Sequence, residues 1–581
     1  MNRNLLLVFI LMAVVVIISQ QFLFKKVEQA KPGQKPGTQQ QQQQQPQPQQ
    51  ATAPSKETTA PAPVAPPPAS SAPAEKAASE IETIVENDLY RITFTNKGGL
   101  VKSWVLKKYR DEKGNPLELV NDKAASQYGY PLSLYSSDES LRNKLNSALY
   151  VSTGEAKLNP PGSLSFEYSD GDVTVHKKFT FSDSYVVGTE TSVVRNGAYV
   201  TALPAWPSGF GDMTIPGTYG AQRIDYFNGS DVHRQSADKS GKEISGGRVM
   251  QPPFQWAGVS DQYFAAIFLP DKPEQAALIQ LRNEIQVPKS TTKPDPNDTS
   301  PVQVLGTAVG PQGAPVTGRL FVGPKALDVL EKVHSTNASM KWDLRPVVDF
   351  GRFSFIARPL FLWLHWTYDH WIPNWGWAII FLTVVINAAL LPLRIMSMRS
   401  ALKMQKIAPQ VQSINDKYKK YSLKDPRRQE AQKEISALYK EHDVNPAGGC
   451  LPLLIQMPFL FAFWTMLSAA IELRGAHWFW LSDLSQPDHL YLIPITIIVS
   501  TLIMQRMTPQ AGMNPEQAKM MNLMMPLMLG FMSWSVASGL GLYWLTGTIV
   551  GIVQQWAMNR TKLGQEIRAV QEKRAAKHAK K

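Results

Sequence analysis

Residues 374–394 read NWGWAIIFLTVVINAALLPLR. Apolar side chains fill the stretch from Trp375 to Leu393. At 1.5 Å per residue, about 20 helical residues match the ~30 Å hydrocarbon core of a bilayer. The polar residues inside it are few and in register. Thr383 and Asn387 are four apart, on one helical face, and Arg394 continues that face about two turns further on. A polar side chain in lipid costs free energy unless it meets protein or water. The stretch therefore predicts a membrane helix with one face turned toward a polar path.

Further apolar runs stand on both sides. Leu5–Phe24 is long enough for a span and has no small-x-small cleavage site after it, so 1–24 reads as an uncleaved anchor. Leu451–Ile471 and Leu490–Met507 are two more spans. The run from Met520 to Trp556 is too long for one crossing, roughly 55 Å as a helix, and Ala537-Ser538-Gly539 supplies a turn near its middle. That makes six spans, five of them in a C-terminal core over 374–558.

Residues 25–80 are rich in Pro, Gln, Ala and Ser and read as a flexible tether. Residues 81–340 alternate as strands do. Ser163–Tyr168 and Val173–Phe181 flank the turn dipeptide Asp170-Gly171, and Tyr263–Leu269 is a continuous core strand, predicting a large antiparallel sandwich. Residues 341–373 carry an aromatic-rich segment, Phe353–Trp371, that suits a helix lying in the membrane interface.

The 581 residues carry a formal charge of +13. The basic residues gather beside apolar spans, which points to membrane topology rather than to nucleic acid. They are dense in the loop 395–447, including Lys417, Lys419, Lys420, Arg427 and Arg428, and in the tail 559–581. The positive-inside rule puts loop, tail and both termini in the cytoplasm and residues 25–350 in the periplasm. Within the loop, Met404, Ala408, Val411, Ile414 and Tyr418 recur at helical spacing, as do Ala431, Ile435, Leu438 and Tyr439. Asp425-Pro426 fits a helix start between them, so two short amphipathic helices form a hairpin with basic outer faces. Such faces suit a ribosome or an anionic lipid surface.

No GxxxxGK[ST] loop, HExxH pair or GxSxG turn occurs, and the single cysteine, Cys450, excludes an intrachain disulfide. Neither ATP use, metal nor any other cofactor is called for. His176 and His233 stand without a ligand pattern. Polar residues recur instead in the spans: Gln456 and Thr465 in the third, Thr546 and Gln554 in the sixth. With Thr383, Asn387 and Arg394 they suit a hydrated groove; the alternative is interhelical hydrogen bonding as packing. Methionines cluster around the fourth and fifth spans, from Met504 to Met532, where flexible thioethers can adapt to apolar partners.

Asn445–Pro458, NPAGGCLPLLIQMP, resembles the signature of the YidC-type membrane protein insertases. Ser538–Trp544 with Gln554-Gln555, Asn374-Trp375-Gly376 and Leu391-Pro392-Leu393 are similar to the same family's motifs. The resemblance implies a Gram-negative form, with a periplasmic β-supersandwich related to sugar mutarotases, and a multi-pass protein of the inner membrane rather than an enzyme. It implies a groove lined by Thr383, Asn387, Arg394, Gln456, Thr465, Tyr543, Thr546 and Gln554 that receives polar segments of nascent membrane proteins, alone or with the Sec translocon, without nucleotide hydrolysis. The client's apolar helix would leave along the third and fifth spans. One position departs from the family pattern. Many members carry Arg or Lys five residues before the proline of the second span, where this chain has Asn387 before Pro392. Arg394 is then the nearest source of positive potential. The competing readings are a membrane-anchored sugar enzyme, which would need a paired acid and base, a transporter, which would need internal repeats or an intramembrane ionisable relay, and a purely structural assembly factor, which differs from an insertase only by assay.

Overall fold

The computed structural model describes residues 75–566 apart from 112, 237–246, 290–297, 336–341, 419–420, 422–425, 443–450, 509–514 and 563, together with 569. The expected anchor, nearly all of the tether, Cys450 and most of the basic tail lie outside these residues. The chain divides into two compact units, Met1–Asp261 with Ala265–Gly323, and Gln262–Phe264 with Pro324–Lys581.

The first unit is built of three sheets, one of ten strands and two of five. Alternation makes them. In Val173–Phe181 the residues Val173, Val175, Phe179 and Phe181 are buried, while Thr174 and Thr180 face out. This strand pairs antiparallel with Gly162–Ser169 on one side and Val186–Arg195 on the other. The longest ladder joins Ala276–Pro288 to Thr299–Pro311. The inner faces close on aromatic rings, with Phe94 packed against Phe166, Phe179 and Phe181, and Trp104 against Tyr90 and Trp206. Two details differ from an all-antiparallel sandwich. Glu82–Glu86 pairs parallel with Lys157-Leu158, and helices interrupt the strands, two of them longer than the single turn at Pro216–Tyr219. These are α1, Asp122–Tyr128, capped by the Asn121 side chain on Ala124 N, and α2, Glu139–Ser147, capped by Asp138 on Leu141 N.

Lys177 occupies an inward position of its strand and is fully buried. Its ammonium donates to the carbonyls of Gly98 at 2.7 Å, Gly99 at 3.2 Å and Leu132 at 2.8 Å. All three acceptors sit at positive φ, +70°, +57° and +64°, the left-handed region that glycine enters freely. One lysine thus satisfies three carbonyls that would otherwise face apolar side chains.

The second unit is helical: α3 Ser354–His370, α4 Trp375–Ala389, α5 Leu391–Tyr418, α6 Pro426–Glu441, α7 Leu451–Ala469, α8 Leu492–Met507, α9 Pro515–Ser533 and α10 Ser538–Arg560. Among the described residues no single helix is long and apolar enough to cross a membrane; α4 and α5 pass that test together, bent by 47° at their junction. The expected straight second span therefore ends early. Helix α4 stops at Ala389, and Pro392 falls in the first turn of α5, where its missing N–H costs nothing. The hairpin also differs from two short helices. Its first arm is the continuation of α5, a single helix of 28 residues. Pro426 opens the second arm as anticipated, with Asp425 outside the described residues. The turn expected at Ala537-Ser538-Gly539 is present, with Ala537 at the N-cap of α10.

Lys177→Met leaves three buried carbonyls without a donor and should cost about 2–4 kcal/mol of stability, measured by urea unfolding of the full chain in detergent. Burial pushes the Lys177 amine down to about 7.

Candidate functional site

Four of the residues singled out from the sequence form one hydrogen-bonded ladder. Thr383 Oγ1 donates to Ile379 O at 2.6 Å, and Asn387 Nδ2 donates to Thr383 O at 2.8 Å. These are side chains turned back on their own helix, as polar groups in an apolar bundle require. The next two steps cross between helices. Gln554 of α10 donates through Nε2 to Asn387 O at 3.0 Å and accepts from Arg394 Nη1 at 2.9 Å through Oε1. Thr383 and Asn387 are buried, Arg394 and Gln554 half-buried. Among the described residues Arg394 has a neutral amide as its hydrogen-bond partner and no carboxylate within ion-pair distance. The ladder thus ends in an uncancelled positive charge.

Small residues let α10 approach. A Cβ on Gly551 would stand 3.1 Å from Arg394 Nη1, and one on Gly547 3.9 Å from Asn387 Nδ2. The sequence reading missed both, although Gly547 and Gly551 form a G-x-x-x-G spacing in an apolar run. It also missed Asn559, which donates to Met507 O at 3.3 Å at the end of α8 and accepts from Gln555 at 2.9 Å.

The remaining candidates lie apart from the ladder. Gln456 Nε2 reaches the Tyr543 hydroxyl at 3.4 Å, and the Tyr543 ring stacks on Phe463 at 4.1 Å, joining α7 to α10. Thr546 is buried and lines a hollow of about 460 Å³ whose other walls are apolar and aromatic, among them Trp377, Ile380, Val384, Trp478 and Trp480. Thr465 bonds the carbonyls of Phe461 and Ala462 in its own helix and packs beside Gly351. In the hairpin, Lys417 pairs with Glu434 at 3.0 Å, and Arg427 stacks 4.0 Å over Tyr421. Lys419 and Lys420 and the Arg428 side chain lie outside the described residues.

The opposite end of the bundle is stitched by the segment between α7 and α8. Ser538 N and Gly539 N donate to Gln486 O and Leu484 O, and Asn374 Nδ2 to His477 O. Trp478 packs where Gly376 has no side chain; a Cβ there would meet its ring at 2.3 Å. Among the described residues no group of His, Cys, Asp and Glu could hold a metal ion.

A β-sandwich unit followed in the chain by an apolar helical bundle with a polar seam is the two-part class of fold that these residues define. Two family models divide the chain between them: the YidC periplasmic domain matches residues 82–363 and the 60Kd inner membrane protein matches 366–566. A membrane protein insertase YidC from Syntrophus aciditrophicus is 30% identical over 96% of this chain and 100% of its own length. Another, from Pelobacter propionicus, is 32% identical over 95% of this chain and 98% of its own. The chain belongs to the YidC family of membrane protein insertases, not to a family of enzymes. A crystal structure of an active YidC insertase with its first transmembrane domain resolved aligns over 84% of this chain and 95% of its own, at 18% identity and a TM-score of 0.34. A putative aldose 1-epimerase from Escherichia coli K12 aligns over 42% of this chain and 100% of its own, at 10% identity and a TM-score of 0.27.

Gln554→Ala removes both interhelical bonds of the ladder. It should destabilise the helical unit by about 0.6–1.7 kcal/mol, read as a lowered midpoint when the full chain is unfolded in detergent micelles.

Proposed function

We propose that this protein inserts nascent membrane proteins into the bilayer through a polar groove centred on the Thr383–Asn387–Gln554–Arg394 ladder. The supporting observation is the Arg394 guanidinium, half-buried among apolar helices and held by a neutral amide. A charge kept in such a place at a cost, yet left without a counter-ion, is set to attract one from outside the protein. The client is a segment with acidic residues, drawn in from the cytoplasmic side toward Arg394. Groove polarity gives its charged groups partners part-way across, where an acidic side chain at mid-bilayer otherwise costs about 2.5–3.5 kcal/mol. The client's apolar helix then leaves along α7 and α9, the third and fifth spans. Its transfer into lipid drives the step, and no nucleotide is consumed.

In this reading the chain crosses the inner membrane six times with both termini in the cytoplasm. The end stitched through Gln486, Leu484 and His477 is the closed periplasmic end. Helix α3 lies in the outer interface: Ala357, Leu360, Phe361 and Leu364 are buried, while Phe355, Leu362, Trp363 and Trp366 are exposed. The α5–α6 hairpin, with Lys417, Arg427 and their basic neighbours, meets the ribosome or anionic lipid. The protein serves clients alone or beside the Sec translocon, and Thr465 and Thr546, being off the ladder, contribute less than Thr383 and Asn387.

The test is insertion of a single-span client into liposomes holding only this protein, scored by protease protection. Arg394→Gln should lower insertion of a client with an acidic translocated tail by about tenfold, equivalent to ~1.4 kcal/mol. Gln554→Glu should do the same, because it sets a carboxylate beside Arg394 and cancels its field while preserving shape. A client with an uncharged tail should be affected by neither change. Equal insertion of the acidic client by all three proteins would refute the groove assignment.

A further inference from the structure

Beside the ladder, α4 and α10 line the hollow of about 460 Å³ in which Thr546 is buried. Ile380 and Val384 come from α4, Leu545 and Ile549 from α10, and no charged residue lines it. The hollow opens outward, with Val384 42% and Ile549 48% exposed at its edge. Its aromatic end is braced. Trp478 and Leu481 exchange backbone hydrogen bonds at 2.9 and 2.8 Å across a turn whose tip, Phe479, is held at φ +47°. A bulky side chain enters that left-handed region only under constraint. Trp478 packs where Gly376 has no side chain, and Trp480 Nε1 donates to Asp488 Oδ1 at 3.3 Å. Asp488 is itself buried and accepts from Leu490 N at 3.0 Å and Ile493 N at 2.8 Å at the start of α8. The walls are thus fixed around the space instead of closing it.

We propose that this hollow binds one acyl chain of a membrane lipid, with the lipid's head at the Trp478–Trp480 end. Size decides between occupants. On α10 the hollow runs from Leu542 to Val550, about 12 Å of helix rise. A client helix is about 10 Å across and over that length would need roughly 900 Å³, about twice the space present. A client must also cross the whole ~30 Å core, whereas the hollow stays within the depth of one leaflet. A single file of methylenes meets both limits. The medium outside is hydrocarbon, since the next outward residues of α10, Val553 and Trp556, are apolar and exposed. Tryptophans gather at the headgroup level of a bilayer, which sets the head beside the Trp478–Trp480 turn and the chain toward Val550. Fixed apolar walls on several sides give that chain dispersion contacts that a lipid on an open helix face lacks. The client exit proposed along α7 and α9 uses other helices, so a chain held here does not stand in its way. The site rests on the reading that α4 and α10 lie in the bilayer; it does not depend on the polar groove or on which leaflet the Trp478–Trp480 turn meets.

The experiment places the full chain in vesicles of phosphatidylethanolamine and phosphatidylglycerol with a trace of phosphatidylcholine carrying a mid-chain diazirine. After irradiation, peptide mass spectrometry locates the adducts. Ile549 of α10 and Val499 of α8 are 48% and 50% exposed, so unselective contact with lipid labels them alike. A bound chain should label the peptide around Ile549 about tenfold more than that around Val499, as a tenfold difference in affinity would. Ile380→Trp should fill the hollow and bring Ile549 down to the Val499 level, while Val384→Ala, which leaves the hollow open, should preserve the excess. Equal labelling in the wild type, or an excess that survives Ile380→Trp, would overturn the site. So would an excess that disappears when a single-span client is added or when the protein-to-lipid ratio is raised, which would assign the hollow to a client or to a second copy of this chain. Label at neither peptide would overturn the site together with the membrane reading of α8 and α10.

Discussion

The helical unit depends on one constraint: a polar atom placed among apolar helices must find its partner inside the protein. The ladder meets it with little material. Thr383 and Asn387 return their hydrogens to carbonyls one turn back, which satisfies the donors without calling on a neighbouring helix. Gln554 then uses both ends of one amide, donating to α4 and accepting from α5. Because the amide spans two helices, the position of α10 fixes where the Arg394 charge stands. The glycine at 551 follows from this, since a Cβ there would press on the Arg394 guanidinium that the amide holds, whereas one at 547 would make only ordinary contacts.

The β unit meets the same constraint with a charge instead of an amide. Three carbonyls turned inward by left-handed backbone cannot be left facing Phe166 and its neighbours. A lysine on the strand beside them carries three donors on one flexible stem, and no other single side chain brings three hydrogens to one point in that geometry. Lys177 is thus a core residue by position and a polar one by chemistry, an exception that the strand alternation accommodates because the carbonyl cage lies opposite.

These cases separate what was legible in the amino-acid sequence from what was not. Periodicity marked Val173–Phe181 as a strand and Thr383 with Asn387 as one helical face, because both depend on neighbours in the chain; Arg394 lies past the bend on α5. The turn at Ala537–Gly539 and the start of α6 at Pro426 were equally local. The break after Ala389 was marked by Pro392, but hydropathy alone ran straight across it, since a bend changes no side chain. Lys177 was visible at an inward position of a strand, yet its acceptors come from residues 98, 99 and 132, which pattern cannot bring together. The split of the candidate polar residues into a ladder, the Gln456–Tyr543 pair, and the separate Thr465 and Thr546 likewise depends on how the helices rotate against one another. Equal polarity in sequence gave them equal weight.

Asn387 and Arg394 stand on successive helices, so the charge that ends the ladder lies beyond the bend that closes α4. At the buried Asn387 position a guanidinium would sit beside Thr383 and Ile386, more severely desolvated than at Arg394. At the Arg394 position the side chain remains half-buried, so part of its hydration is kept and a single neutral acceptor suffices. A carboxylate in place of Gln554 would hold Arg394 more firmly and extinguish its field at the same time. An amide holds the geometry and leaves the charge available. Structure and electrostatics are thereby uncoupled at one residue.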